Sequence, residues 1–223
     1  MGCRISTMKV VSFVSLKGGT AKTTLARHCA VAAMQAGHRV TVVDCDQQGS
    51  LREWGEARGR APEVIGETST QRRYVEQTLE RLRGEGSDLV LIDTPGSFEG
   101  AYSANAVALS DFVVIPCRPS GEDTAAFWET EARVSAAGKP FGAVVSQAPT
   151  TSPKPAADLM ALFIGSGVEV CPQAVHLRQI VSATYSAGST VFEAERSSDS
   201  DNRAADEMAA VWTWLAGRVG VKA

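Results

Sequence analysis

Ser15-Leu16-Lys17-Gly18-Gly19-Thr20-Ala21-Lys22-Thr23-Thr24 is the stretch that decides how this chain folds. Two lysines flank a Gly-Gly pair, and hydroxyls follow the second lysine. The apolar run Val10-Val11-Ser12-Phe13-Val14 leads in, and an alanine-rich helical pattern over Thr23–Ala36 leads out. Strand, glycine-rich turn and helix are the setting of a phosphate cradle. Backbone N–H groups at the helix start point at the anion, the helix dipole adds favourable charge, and glycines let the backbone come close. Lys22 is placed to reach β- and γ-phosphates and Thr23 to set its hydroxyl on Mg²⁺, so ATP with Mg²⁺ is the expected ligand. The cradle residues are Gly18, Gly19, Thr20, Ala21, Lys22, Thr23 and Thr24; the extra lysine, Lys17, has no part in an ordinary cradle. Leu16 and Ala21 replace the two glycines of the strict spacing. Ala21 is expected to take the helical φ open to any L residue where a helix begins.

Outward from this stretch, strand and helix alternate. Short Val/Ile-rich runs at Val10–Val14, Val40–Val43, Leu89–Ile92, Phe112–Ile115, Ala143–Val145 and Val168–Val170 are apolar without alternation, as in parallel strands buried on both faces. Helical patterns lie between and after them, at Thr23–Ala36, Gln71–Arg83, Ala101–Leu109, Thr124–Ala136, Pro155–Ile164 and Arg203–Val219. The expected fold is α/β, a doubly wound, mostly parallel sheet with helices on both faces and ligands at the carboxyl ends of the strands. Gln147–Lys154 and Arg196–Asn202 read as surface loops. At 223 residues the expectation is a single domain over 1–223.

Carboxylates gather at the predicted strand ends. Asp44 and Asp46 follow the second strand in Val43-Asp44-Cys45-Asp46-Gln47-Gln48-Gly49, and Asp93 ends Leu89-Val90-Leu91-Ile92-Asp93 before Thr94-Pro95-Gly96. A strand-tip carboxylate suits a hard cation that takes oxygen ligands. Alone, each would read as a helix cap or turn residue; together with the lysines they read as a nucleotide site. Asp88 and Asp111 start strands at the opposite edge and are expected to be solvated turn residues.

The lysine pair with Gly-Gly resembles the deviant Walker A motif of the ParA/MinD ATPases, and Asp44-Cys45-Asp46-Gln47-Gln48-Gly49 is similar to that family's Asp-x-Asp-Pro-Gln-Gly, with Gln47 for proline. The resemblance runs from about Lys9 to Glu193 and includes Pro116, Pro119-Ser120, Ser146-Gln147 near the adenine, and Cys171-Pro172. It implies that Lys17 acts in trans across a dimer interface and Lys22 in cis. It gives catalytic parts to Lys17, Lys22 and Asp46, places Pro172 with the nucleotide-binding residues, and sets Thr23, Asp44 and Asp93 around the metal. It further implies a short ParA-type ATPase without an N-terminal DNA-reading domain. Such a protein forms a homodimer with ATP, binds DNA nonspecifically, and positions a plasmid, chromosome region or protein cluster. A ParB-like or other adaptor stimulates its slow hydrolysis. Arg178 falls where relatives place DNA-contacting basic residues, and the implied location is cytoplasmic, on the nucleoid when ATP is bound.

Composition bounds these expectations. Net charge is −3, so DNA binding requires a local patch or the summed patches of a dimer. Five scattered cysteines (Cys3, Cys29, Cys45, Cys117 and Cys171) form no C-x-x-C pair, which argues against a disulfide framework or a cluster chaperone. No apolar run approaches the ~18 residues of a membrane span. Seven arginines face six glutamates over Arg52–Arg83, an ordinary solvated balance. Trp212 and Trp214 sit in a last helix too poor in basic residues to lie on a membrane, so they are expected to dock on the core. The alternatives are a MinD-like membrane-cycling ATPase, a metabolic ligase on the same fold, or a nucleotide-gated regulator.

Overall fold

The structure, a computed structural model, describes residues 8–96 and 101–223. Its sheet has six parallel strands: β1 (Lys9–Phe13), β2 (Val40–Asp44), β3 (Glu63–Gly66), β4 (Leu89–Asp93), β5 (Phe112–Cys117) and β6 (Phe141–Val145). They lie in the order β3-β2-β4-β1-β5-β6. The helices are α1 (Lys22–Gln35), α2 (Ser50–Arg58), α3 (Arg72–Glu85), α4 (Tyr102–Leu109), α5 (Gly121–Ala136), α6 (Lys154–Gly165), α7 (Gln179–Ala183) and α8 (Asp199–Val219).

Strand pleat divides the core. Val11, Phe13, Val42, Leu91 and Val114 face the layer of α1 and α8, where Leu25, Ala30, Met208, Val211 and Leu215 pack. Their neighbours Val10, Val43, Val90 and Ile92 face the other side, with Val75, Leu79 and Leu82 of α3. Val113, Ile115 and Val145 continue that side against Phe127 of α5 and Phe163 of α6, whose rings stack at 4.0 Å. Runs apolar on every residue are what a sheet covered on both faces requires. Trp212 and Trp214 are buried, and Gly142 leaves the space that the Trp214 ring fills: a Cβ there would lie 2.6 Å from it.

Several expectations change. Val168–Val170 forms no strand, only an isolated bridge from Ala143 to Val170. β3, α2 and α7 were not expected: β3 is a half-exposed edge strand, α2 buries only Leu51, Trp54 and Arg58, and α7 buries nothing. Arg196–Asn202 is no simple loop, because α8 begins inside it with a capping box between Ser198 and Asp201. Asp88 and Asp111 are not merely solvated. The Asp88 carboxylate accepts the Arg39 N–H at 2.9 Å, and the Asp111 carboxylate accepts the Val10 N–H at 2.8 Å, tying strand starts together. Cys29, Cys45, Cys117 and Cys171 are buried free thiols; Cys3 lies outside the described residues.

His28 on α1 has both ring nitrogens engaged within the core. Nδ1 lies 2.7 Å from the Thr24 carbonyl and Nε2 accepts the Val191 N–H at 3.3 Å. Burial, reinforced by the charge of Arg27, holds its imidazole down to about 3. As pH falls below the ordinary histidine value, the unfolded chain takes up a proton that the folded chain refuses. This contribution is therefore complete above about pH 6.5 and is lost progressively toward the folded value, about 2 kcal/mol of it by about pH 5. Urea unfolding at neutral and mildly acid pH should show that drop, and His28→Gln should flatten it. Equal pH slopes in the two proteins would contradict the assignment.

Candidate functional site: a phosphate cradle at the strand ends

The loop between β1 and α1 is built by backbone contacts. Gly19 has φ +73°, and the Thr20 carbonyl accepts a hydrogen bond from the buried Ser146 hydroxyl at the end of β6. Gly96 closes the loop from the other side. A Cβ at Gly96 would stand 2.7 Å from the Gly18 Cα, so only glycine allows this approach. Ala21 departs from expectation. Its φ is +72° and ψ +22°, the left-handed region rather than the helical one. An L residue there is strained by about 1–2 kcal/mol. Ala21→Gly should therefore leave unfolding free energy unchanged or raise it by up to about 1 kcal/mol, where the same change inside a helix costs about 1. A loss of that size in denaturant titration would rule out the strained backbone.

The two lysines point different ways. Lys22 is 6% exposed and its ammonium donates to the Lys17 carbonyl at 3.3 Å, across the loop. Burial lowers its pKa while the Asp93 and Asp46 carboxylates raise it. The Lys17 side chain leaves the loop outward. Its ammonium meets Glu122 at 2.8 Å and Asp123 at 3.2 Å on the first turn of α5, and these contacts raise its pKa. A ligand group enclosed by the loop is thus within the reach of Lys22, and Lys17 faces the surface.

Strand register brings the carboxylates together, because Asp44 and Asp93 are direct neighbours at the ends of β2 and β4. The Thr23 hydroxyl donates to Asp93 Oδ2 at 2.5 Å. Burial pushes the Asp93 carboxyl up to about 7, opposed by that hydrogen bond and by Lys22. Asp93 Oδ1 is buried with no hydrogen-bond partner among the described residues. An orphaned carboxylate oxygen beside a threonine hydroxyl fits a hard divalent cation. No cluster of three or more Cys, His, Asp or Glu able to hold a metal occurs among the described residues, so such a cation would draw its other ligands from phosphate and water. Asp44 is fully buried, and its oxygens accept the N–H groups of Asp46 and Arg52, each at 2.9 Å. Its position therefore fixes the turn that carries Asp46. Asp46 is half-buried and lines a cleft of about 610 Å³ with Gly18, Gln48, Pro95 and Gly96. Thr94, in that same segment, donates to the Phe13 carbonyl at 2.7 Å.

Beside the cradle lies a smaller, mostly apolar slot of about 90 Å³. Ala21, Thr24, Gln147, Val175 and Leu177 line it. Segment 175–177 continues the β6 edge through the Val175–Val145 and Leu177–Ala148 backbone bonds. Pro172, expected among the nucleotide contacts, is exposed and is not among the residues that line this slot, where Val175–Leu177 stand instead. Arg178 is engaged within the protein. Its side chain is 9% exposed and donates to Glu207 at 2.7 Å and to Ser200 at 3.1 Å, so it presents no free cation. Glu207 also accepts the His176 N–H at 2.9 Å. An acid on the apolar face shared by Ala204, Met208 and Val211 was the available signal for a buried partner.

Residues 11–201 match the family model described as the CobQ/CobB/MinD/ParA nucleotide binding domain. The chain is 39% identical over 134 residues to "Maintenance of carboxysome distribution protein A" of Gloeobacter kilaueensis, covering 58% of each. It is 33% identical over 117 residues to "Protein ParA" of Rhizobium radiobacter, covering 52% of this chain and 51% of that one. The matches thus span little more than half the length of these curated relatives. Among solved structures, the MinC:MinD cell division protein complex of Aquifex aeolicus superposes with TM-score 0.75 at 17% identity, covering 94% of this chain and 96% of that one. A Cyanothece McdA variant in complex with ATP gives 0.74 at 15%, covering 98% of both chains. At such identities the likeness is one of fold. The chain belongs to the CobQ/CobB/MinD/ParA nucleotide binding domain family.

Proposed function

We propose that this member of the CobQ/CobB/MinD/ParA family is an ATP-driven positioning switch. ATP with Mg²⁺ closes two protomers face to face, the dimer binds DNA without sequence preference, and an adaptor protein stimulates slow hydrolysis that releases it. The carrying observation is the opposite aim of the two lysines, with Lys22 turned into the loop and Lys17 turned out to the surface. An ordinary cradle uses only the first. The names of similar proteins, which include a carboxysome distribution protein, a ParA and a chromosome-partitioning ATPase, support positioning of a cargo.

In this reading the loop N–H groups and Lys22 hold the β- and γ-phosphates, the slot beside Thr24 and Gln147 takes the base, and Asp46 orients the attacking water. Thr23 and Asp93 would hold the Mg²⁺, which supplies charge neutralisation on the phosphates when bound. Asp44 supports this by fixing the Asp46 turn. Lys17 gives up Glu122 and Asp123 to cross to the partner's nucleotide. Phosphoryl transfer needs position and charge more than covalent help, and these residues supply both. The buried tryptophans of α8 speak against a membrane-cycling reading.

DNA retention with and without nucleotide tests the proposal. A chain of net charge −3 has no global basic footprint, so in this reading the local patches of two protomers act together on DNA phosphates. Binding to nonspecific duplex should therefore require ATP and fall with salt at a slope of about −0.9 per phosphate contact. Binding that ignores nucleotide and salt would overturn it.

A further inference from the structure

Where the family motif carries proline, this chain has Gln47, and the structure gives that glutamine a partner 55 residues away. Its side-chain amide donates to the Tyr102 hydroxyl oxygen at 2.7 Å, and the Tyr102 hydroxyl donates on to the Thr68 carbonyl at 2.9 Å. The donor sequence is unambiguous, because the hydroxyl has one proton and the carbonyl can only accept. The anchor is firm. Thr68 follows Glu67, whose N–H bonds the Asp44 carbonyl at 2.9 Å, and the Asn105 side chain ties the same segment through the Thr70 carbonyl at 3.0 Å. Tyr102 opens α4, just beyond the segment whose Gly96 packs on Gly18 of the cradle. Gln47 and Tyr102 both line the 610 Å³ cleft that holds Asp46.

We propose that Gln47 and Tyr102 are positioning residues for hydrolysis: a side-chain strap that holds the Asp46 turn in place of the stiffness proline would give. A proline fixes φ and restricts the residue before it, which here is Asp46. Glutamine does neither, and the strap restores the restraint from outside the turn. The turn's own backbone bond runs from the Gly49 N–H to the Asp46 carbonyl at 3.0 Å, and the side chain of Asp46, which lines the cleft, accepts the Gln48 N–H on one of its oxygens at 3.0 Å. The strap joins this turn to α4, so the two walls of the cleft move together. This inference rests on the hydrolytic role given to Asp46.

The test uses the full chain and five variants: Tyr102→Phe, Gln47→Ala, both together, Gln47→Pro, and Gln47→Pro with Tyr102→Phe. Loss of one exposed hydrogen bond should lower the single-turnover hydrolysis rate about 3- to 10-fold with ATP affinity unchanged. Tyr102→Phe, Gln47→Ala and their combination should show the same loss, because each breaks one strap. Gln47→Pro should restore the rate in the Tyr102→Phe background, a rescue that a merely structural tyrosine would not show. Hydrogen exchange at the Asp46, Gln48 and Gly49 amides should rise in Tyr102→Phe and return in the proline double variant. Additive losses, a loss of affinity in place of rate, or exchange unchanged by Tyr102→Phe would overturn the strap. Exchange that responds as expected in a wild-type protein that binds but does not hydrolyse ATP would leave the strap standing as a restraint and overturn the hydrolytic role of Asp46, and with it the positioning role claimed here.

Discussion

Lys22→Ala is expected to weaken ATP binding by about 30- to 150-fold, the ~2–3 kcal/mol of a charge-assisted hydrogen bond to phosphate. Two effects act in the same direction. The variant loses the one lysine turned into the cradle, and it removes the cation that offsets Asp93 and Asp46. An incoming triphosphate then meets two carboxylates without that compensation. Calorimetric titration with ATP and Mg²⁺ reads the affinity directly. Lys22→Arg should recover only part of it, because a planar guanidinium replaces a compact ammonium in a space fitted to lysine. Unchanged affinity in Lys22→Ala would remove the cradle from the account.

Gly188→Ala is expected to destabilise the fold by about 3–5 kcal/mol, among the largest effects a single methyl can have. Gly188 has φ +59°, and a Cβ built on it would lie 2.1 Å from the Arg58 nitrogen and 2.3 Å from the Arg58 Cα. These are backbone atoms at the end of α2, so no side chain can swing aside. The contact is held from both sides. Arg58 donates to the Gly188 carbonyl at 2.9 Å and to both Glu193 oxygens at 2.8 Å. Trp54 donates to the Ser189 carbonyl at 3.0 Å, and Arg27 donates to it at 2.7 Å. The methyl must therefore part the 188–193 segment from α2 and α1. Denaturant unfolding would measure the loss, and a variant as stable as wild type would mean that this approach is not the one the protein adopts.

Five strands could be read from sequence because each is an apolar run enclosed on both faces, and the cradle because its residues are contiguous. β3 escaped because an edge strand with an exposed Glu63 and Gly66 has no apolar run to find. α7 escaped because it buries no side chain, and Val168–Val170, two valines either side of Glu169, makes only a single bridge. Ala21 differs for a related reason: residue type favours a helical φ, but the loop that joins β1 to α1 takes the left-handed one at this position. Arg178 and Pro172 were placed by resemblance, and only tertiary packing shows one bound to Glu207 and the other outside the slot lined by Thr24 and Gln147. Tyr102 carried no local signal, since its partners lie at Gln47 and Thr68, on other strand ends.

If Lys17 serves a second protomer, the mass of the protein in solution, read by light scattering for wild type and Lys17→Ala with ADP or with ATP and Mg²⁺, depends on that one side chain. Wild type should double in mass with ATP and Mg²⁺ but not with ADP, and Lys17→Ala should bind ATP but stay at monomer mass. A Lys17→Ala protein that dimerises as wild type does, or a wild type that binds ATP and never dimerises, would contradict that role of Lys17.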